Sequence, residues 1–494
     1  MKKTYENALR LLDSRRRKGR PKEIAGSGGV PSISEAPGVT GTPNLRGIPS
    51  LVGMHEWLYL LGHSNNDVNN INIIHIAGTK GKGSTCAFTR SFLHVHGLRT
   101  GFPGKVGLYT SPDLRGIRER IQINNKPVSE ALFTQYFFEV WDGLSSQSAL
   151  TPGHDGKDKM PRFLQLLALI AFHTFIRERT DVAIFETHHG GEYDATNVIP
   201  KPAVTGITAI ALDHVAQLGP TIENVAWHKS GIFKHGVPAF SSSQDPAVIS
   251  VFQARAKEKE VPLKFVEVDQ SLPKDAWALH APVQRINCSL ALAIAEAFLE
   301  LKAPAESRSL TPEDIAQGIE RFNWPGRYET IVEGNNHWFL DGAHNELSVK
   351  HVAEWFAKTA LDGSKSSPYV LIFTHISEER DCNALMECLA HSLRENGIRP
   401  RYIIFTTYQE RLDGNTRIDK TLKSLLSPPP DVLTMYSEGW KKIDPQAEII
   451  TENAIEGALH AARKIGEKEG GMRTLITGSL HLVGGVLNLL RPLE

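Results

Sequence analysis

From Ile71 onward the hydrophobic positions follow a recurring order: a short apolar run, a polar turn, then a longer stretch with helical spacing. INIIHIA (71–77), DVAIF (181–185) and AVTGITAIAL (203–212) have the composition of buried strands. Between them, STCAFTRSFLHVHG (84–97) predicts a helix stopped by Gly97, and RFLQLLALIAFHTFIRER (162–179) predicts a strongly apolar helix. Upstream, residues 4–16 carry Ala8, Leu11 and Leu12 at the spacing of an amphipathic helix, and 20–50 is rich in Gly, Pro and Ser, as a long loop is. SSQSALTPGHDGKDKM (145–160) reads as a surface insertion. A helix over 284–302 precedes NWPGRYE (323–329), and the alternation then restarts with HWFLD (337–341), YVLIFT (369–374), RYIIFT (401–406) and TLITGS (474–479). Alternating strands and helices predict an α/β fold with mostly parallel sheets and ligand sites at the strands' carboxyl ends. The expected division is 1–310 and a smaller, Rossmann-like 311–494, and no repeat of solenoid length is present.

A chain of 494 residues is long for one core, which agrees with two domains. Its 55 basic and 55 acidic residues balance, so no charge field points to nucleic acid or a membrane surface. No apolar run approaches the roughly 18 residues of a membrane span. Cys86, Cys288, Cys382 and Cys388 show neither a CxxC pair nor zinc spacing and fit free thiols in a reducing compartment. The expectation is a cytoplasmic monomer, with a mitochondrial form from an alternative start left open.

The strongest chemical signal is HIAGTKGKGST (75–85), a strand running through a glycine-rich turn into a helix. Glycines let backbone amides approach phosphate oxygens, a helix N-terminus adds partial positive charge, Lys82 neutralises phosphate, and the Ser84 hydroxyl can ligate magnesium. The strict GxxxxGK[ST] pattern is not met, since Ile76 and Gly83 fall at the wrong positions. A second signal is ETHHGGEYDATNV (186–198), where Glu186 sits at the point at which a strand opens into a loop. Taken alone, a carboxylate beside two histidines could serve a transition metal, a general base or a substrate pocket.

The variant GTxGKG[ST] resembles the phosphate loop of the Mur ligase superfamily. With it, LYTSPDLRGIRERIQIN (108–124), GGEYDATNVI (190–199), ITAIALDHVAQLGPTIENVAWHKSGIFK (207–234), NWPGRYE, FLDGAHN (339–345) and TGSLHLVGGVL (477–487) resemble successive blocks of the folylpolyglutamate synthases, in that family's order. YENALRLL and EWLYLLG (56–62) resemble its eukaryotic members. The resemblance implies a ligase that uses ATP to phosphorylate a carboxylate, then joins it to an amine. In this family the acid is a folate's γ-carboxylate and the amine is L-glutamate. It further implies that Gly78, Thr79, Gly81, Lys82, Gly83 and Ser84 hold the triphosphate. Ser84, Ser111, Glu186 and His214 would serve one or two magnesium ions, with a monovalent cation as a further candidate. Lys229 matches a lysine that becomes carbamylated and then acts as an oxygen ligand. Lys82, His214 and Lys229 are the implied catalytic residues. Asn287, Arg327, Asp341 and His344 match positions near ATP, the last three in the second domain, whose closure would complete the site.

The departures from the family lie on the acid-substrate side. The family's E-V-G-x-G-G carries Thr187, His188 and His189 here, its SPHL carries Asp113, and its HQxxN carries Val283 ahead of Gln284 and Asn287. Ala168 stands where a threonine is usual. Asp113, Ala168, His188 and His189 are therefore candidates for acid-substrate specificity, with His188 expected to intrude near the reacting carboxylate. Three readings stay open: a folylpolyglutamate synthase, including a dihydrofolate synthase variant; a specialised ligase joining another acid to an amine; and a silent nucleotide-binding homologue. A zinc hydrolase built on Glu186, His188, His189 and His214 lacks the usual helix spacing and leaves the phosphate loop unexplained.

Overall fold

The apolar run beginning at Ile71 becomes strand β1, Ile73–Ala77, with all five residues buried. The computed structural model, which describes residues 2–16, 49–150, 160–361, 367–376, 382–415, 417 and 431–493, sets β1 inside an eight-stranded sheet. Its companions are β2 (Val106–Tyr109), β3 (Ile121–Ile123), β4 (Lys126–Pro127), β5 (Val182–Glu186), β6 (Val204–Ile207), β7 (Ala239–Ser242) and β8 (Leu263–Val266). The order is β4-β3-β2-β5-β1-β6-β7-β8, parallel from β2 to β8 and antiparallel at the β2/β3 and β3/β4 edge. Helices cover the sheet, so its central strands are buried at every position rather than at alternate ones. Phe88 and Phe92 of the helix Lys82–Thr100, Phe172 of the helix Phe163–Arg177 and Phe185 of β5 are all fully buried.

The chain divides into two compact units, residues 1–113 with 118–323, and residues 114–117 with 324–494. The second holds a six-stranded sheet of β9 (Glu329–Glu333), β10 (Asn336–Leu340), β11 (Tyr369–Phe373), β12 (Tyr402–Phe405), β13 (Glu448–Thr451) and β14 (Met472–Thr477). Its order is β13-β12-β11-β14-β10-β9, parallel except for the β9/β10 hairpin. Trp338, Tyr402, Ile404, Ile476 and Val486 belong to its core.

The units divide at 323/324 rather than at the expected 310/311. The helix Pro312–Glu320 is tied to the first unit: Arg99 pairs with Asp314 at 2.6 Å, and the Ser91 hydroxyl donates to the Gly318 carbonyl at 2.7 Å. The run 203–212 does not form one long strand; β6 stops at Ile207 for a reason given below. Nor does Gly97 end its helix, which continues to Thr100 and is capped by Gly101 in the left-handed region at φ 84°. Strands β2, β3, β4, β7, β8, β9 and β13 escape the sequence reading because they are short or carry polar residues, as in AFSS and EIIT. Most of the expected loop over 20–50 and of the insertion over 145–160 lies outside the described residues; residues 145–150 close the helix Glu130–Leu150. Among the described residues no helix is long and apolar enough to cross a membrane.

Gly97 provides a test with an unusual sign. Mid-helix Gly→Ala is normally stabilising by about 1 kcal/mol, but a Cβ at Gly97 would stand 2.0 Å from the Pro103 carbonyl oxygen. Gly97→Ala should therefore lower stability, by roughly 1–3 kcal/mol, read as a fall in the thermal midpoint; a rise would refute this contact.

Candidate active site

Strand β1 ends at Ala77, and the chain turns through Gly78-Thr79-Lys80-Gly81 into the helix Lys82–Thr100. Two positions here require glycine. Gly78 has φ 143°, and a Cβ would meet Thr208 Oγ1 at 1.9 Å; Gly81 has φ 88°, and a Cβ would meet Asn287 Oδ1 at 2.2 Å. The turn is anchored from the segment beyond β6. The amides of Thr79 and Lys80 donate to the Ala209 carbonyl at 3.0 and 3.2 Å. The Thr79 hydroxyl donates to the Ala211 carbonyl and accepts from the Ala211 amide, each at 3.1 Å, and Lys80 Nζ pairs with Asp213 at 3.2 Å. The apolar stretch after Ile207 leaves the sheet because its backbone is spent on this turn. Ser84 is buried in the helix's first turn, where backbone amides lack intrahelical acceptors.

Around this turn the structure gathers most of the expected residues. Lys82 Nζ lies 3.9 Å from Glu186 Oε1, at the end of β5. The other oxygen of Glu186 accepts from the Thr110 hydroxyl and, at 3.2 Å, from the Ser111 amide. Lys229 ends the helix Ile222–Lys229, and its buried Nζ donates to the Gly78 carbonyl at 2.7 Å. Burial, with Lys82 nearby, pushes the Lys229 ammonium well below its ordinary pKa. The loop after Glu186 docks on this helix end: the Glu192 amide donates to the His228 carbonyl at 2.7 Å, and a Cβ at Gly191 would come within 2.6 Å of that oxygen. Asn287, abutting Gly81, also donates to Gln284 at 3.0 Å. His214 takes a left-handed conformation at φ 51°, which a non-glycine residue adopts at a cost, and its ring stands 4.5 Å from that of His189.

The specificity candidates divide. Asp113 is engaged in a buried ion pair with Arg120 at 2.6 Å, and Arg120 also donates to the Ser111 hydroxyl at 3.0 Å. Ala168 is fully buried within the helix Phe163–Arg177. His189 is exposed, whereas His188 turns inward, with Nε2 2.6 Å from the Tyr109 hydroxyl. The neighbour that draws it inward is Asp194, which accepts from the amides of His188 and His189 at 3.0 and 2.9 Å. Burial acts to raise the Asp194 carboxyl, but His188 and these donors overcome it and hold the group well below the usual range.

Arg327, Asp341 and His344 form a separate cluster in the second unit. The Tyr328 amide donates to Asp341 at 3.0 Å, the Gly342 amide donates to the Gly326 carbonyl at 3.1 Å, and His344 Nδ1 lies 2.8 Å from the Gly342 carbonyl. The turn carrying Arg327 is thus laced to the loop leaving β10. Among the described residues no group of three or more His, Cys, Asp or Glu side chains could hold a metal ion. Glu186, with the Ser111 amide 3.2 Å from one of its oxygens, is a donor of the kind a hard cation takes.

A curated folylpolyglutamate synthase of Neurospora crassa is 40% identical over 455 residues, spanning 89% of this chain and 85% of that protein. The chain belongs to the folylpolyglutamate synthase family. A Saccharomyces cerevisiae member is 37% identical over 454 residues, 88% of this chain and 80% of its own length. The family model described as dihydrofolate synthetase, C-terminal domain, matches residues 326–489. A solved FPGS-AMPPCP-folate complex superimposes with a TM-score of 0.69 over 99% of this chain and 100% of that one, at 21% identity, a likeness of fold.

Sequence reasoning gave no role to Thr110, Arg120, Tyr109 or Asp194. All four stand within quoted motif blocks; Tyr109 lies on β2, Thr110 just past it and Arg120 in the turn before β3, so their partners become apparent only once these segments meet.

Burial raises the Asp341 carboxyl from 3.8 to about 6, against the pull of Arg327 and the amides of Tyr328 and Ala343. Between those values the folded chain holds a proton that the unfolded chain has released, so this group's contribution is fully present below about 3.8 and is lost as pH rises through 6. Asp341→Asn should flatten that decline in urea unfolding titrations between pH 4 and 7; an unchanged slope would show that the carboxyl titrates normally.

Proposed function

We propose that this chain is an ATP-dependent ligase that adds L-glutamate to the γ-carboxylate of folates. The observation that carries the reading is the glycine turn at the end of β1, with Lys82 set 3.9 Å from the Glu186 carboxylate and a buried Lys229 on the Gly78 carbonyl. Thr79 and Lys80 give their amides to Ala209, so the turn presents Lys82 and the first amides of the helix it opens to a triphosphate.

In the first step a carboxylate oxygen bonds to the γ-phosphorus as the bridging oxygen's bond to it breaks, and ADP leaves. In the second, the amine of glutamate attacks the acyl carbon, the carbon–oxygen bond breaks, phosphate leaves, and the nitrogen gives up a proton. Phosphoryl transfer of this kind depends on positioning and charge neutralisation. The first amides of the helix Lys82–Thr100 and the Lys82 ammonium would orient the β- and γ-phosphates, and Asn287 would close the turn from the side of Gly81. Ser84, Ser111 and Glu186, with His214, would hold magnesium, which when bound neutralises charge on the phosphate oxygens. Depressing the Lys229 pKa favours the neutral amine, the form that carbon dioxide can carbamylate, and a carbamate would add an oxygen donor.

A different acid substrate is the alternative raised by Asp113, Ala168, His188 and His189; Ala168 is fully buried, and of the four only His189 is exposed. Asp113 and His188 are engaged with buried partners, Arg120 and Tyr109, and neither offers an open side chain to a ligand. Folate is accordingly the acid favoured here.

Lys82→Ala should reduce ATP- and magnesium-dependent glutamate addition to a folate by on the order of 10²–10³-fold, with the thermal midpoint kept within a few degrees of wild type. Product formation followed by mass spectrometry checks this; a variant that ligates at the normal rate would remove the phosphate turn from the mechanism.

A further inference from the structure

Glu186 is held by its neighbour strand. In the parallel β2/β5 pair Tyr109 lies opposite Phe185, so the residues following Tyr109 arrive beside Glu186. There the Thr110 hydroxyl and the Ser111 amide both donate to one Glu186 oxygen, which leaves the other toward Lys82. The aim of this carboxylate depends on where β2 ends relative to β5.

A second link joins the same two strand ends. His188, two residues beyond Glu186, reaches across to Tyr109, one residue before Thr110; its Nε2 is 2.6 Å from the hydroxyl, and the two rings meet edge to face with centroids 5.4 Å apart. Its other nitrogen faces Asp194 Oδ1 at 3.4 Å, and the Asp194 carboxylate also takes both loop amides and the Thr196 amide and hydroxyl, at 3.0 and 2.7 Å. The His188 side chain is 1% exposed and Tyr109 is fully buried. A buried hydrogen bond of this kind has no water to replace it, so the strand ends cannot separate without losing it outright.

We propose that His188 is a positioning residue for Glu186: through Tyr109 it fixes the exit of β2, and with it the Thr110 and Ser111 donors that aim the carboxylate at the phosphate turn. The inference rests on the ligase reading insofar as that turn takes ATP with magnesium. Asp194 sets His188, His188 sets Tyr109, and the pair β2/β5 then behaves as one rigid holder for Glu186.

The test uses the full chain as wild type, Tyr109→Phe, His188→Gly, the double variant and His188→Gln. Magnesium-dependent binding of AMPPCP is measured by calorimetry, and folate-glutamate ligation in parallel. Tyr109→Phe keeps the ring and removes only the hydroxyl, so it should fold like wild type in a thermal melt. Tyr109→Phe and His188→Gly should each weaken magnesium-dependent AMPPCP binding about fivefold, the double variant no further than the weaker of these two, and the ranking of acid substrates should not change. His188→Gln, whose amide can still reach Tyr109, should recover most of the loss. Unchanged binding in folded Tyr109→Phe, losses that multiply in the double variant, or a new acid ranking with intact nucleotide binding would each overturn the proposal. Wild-type protein that binds AMPPCP with magnesium but does not join glutamate to folate would overturn the function instead, with the calorimetry still deciding the role of His188.

Discussion

The register of four parallel strands is the constraint on which the site depends. Ile76 of β1 lies opposite both Glu186 of β5 and Gly206 of β6, and Tyr109 of β2 lies opposite Phe185. The strands therefore end at nearly one level, and the first residues past them meet. Gly78, Thr110, Glu186 and Thr208 come from four distant parts of the sequence, yet each is placed by its strand rather than by a loop of its own. A slip of one residue in β5 would turn Glu186 to the opposite face of the sheet. Apolar residues such as Ile74 and Phe185, both fully buried, thus fix the geometry of the polar ones.

What gathers at that level is costly to bury. Lys229 is 3% exposed, with its ammonium on a carbonyl oxygen, and Glu186 is equally buried within 3.9 Å of Lys82. Removing such groups from water without full pairing disfavours the folded state. His214 adds a left-handed backbone. Local choices that oppose stability are expected where function demands them, and here they surround a single turn. The same turn is held from behind by the backbone of 209–211, so its path into the helix is fixed before any ligand arrives.

The glycine turn was legible because its residues are contiguous: strand, glycines, Lys82 and Ser84 lie within one short stretch. Glu186 was legible as a carboxylate at a strand end. The rest depends on contacts that no local pattern encodes. Gly97 and Gly101 are both plausible helix stops, and the approach of Pro103 to Gly97 decides between them. AVTGITAIAL reads as strand throughout, but its second half serves the turn through carbonyls, which carry no side-chain signature. The helix Pro312–Glu320 follows a linker-like stretch, yet the ion pair between Arg99 and Asp314 assigns it to the first unit. His188 looked like a pocket residue because its inward partner Tyr109 lies on β2, a four-residue strand that the pattern did not reveal. Family resemblance pointed to positions; the fold shows which way each side chain turns.

The central claim is that these strand ends form an engine for joining glutamate to folate at the expense of ATP. The most direct measurement incubates the purified chain with ATP, magnesium, a reduced folate and L-glutamate, following folate mass and ADP release together. The account predicts folate heavier by glutamyl residues, with one ADP formed for each residue added and none formed when either folate or glutamate is omitted. ADP release that does not depend on folate, or a folate whose mass never changes, would contradict it.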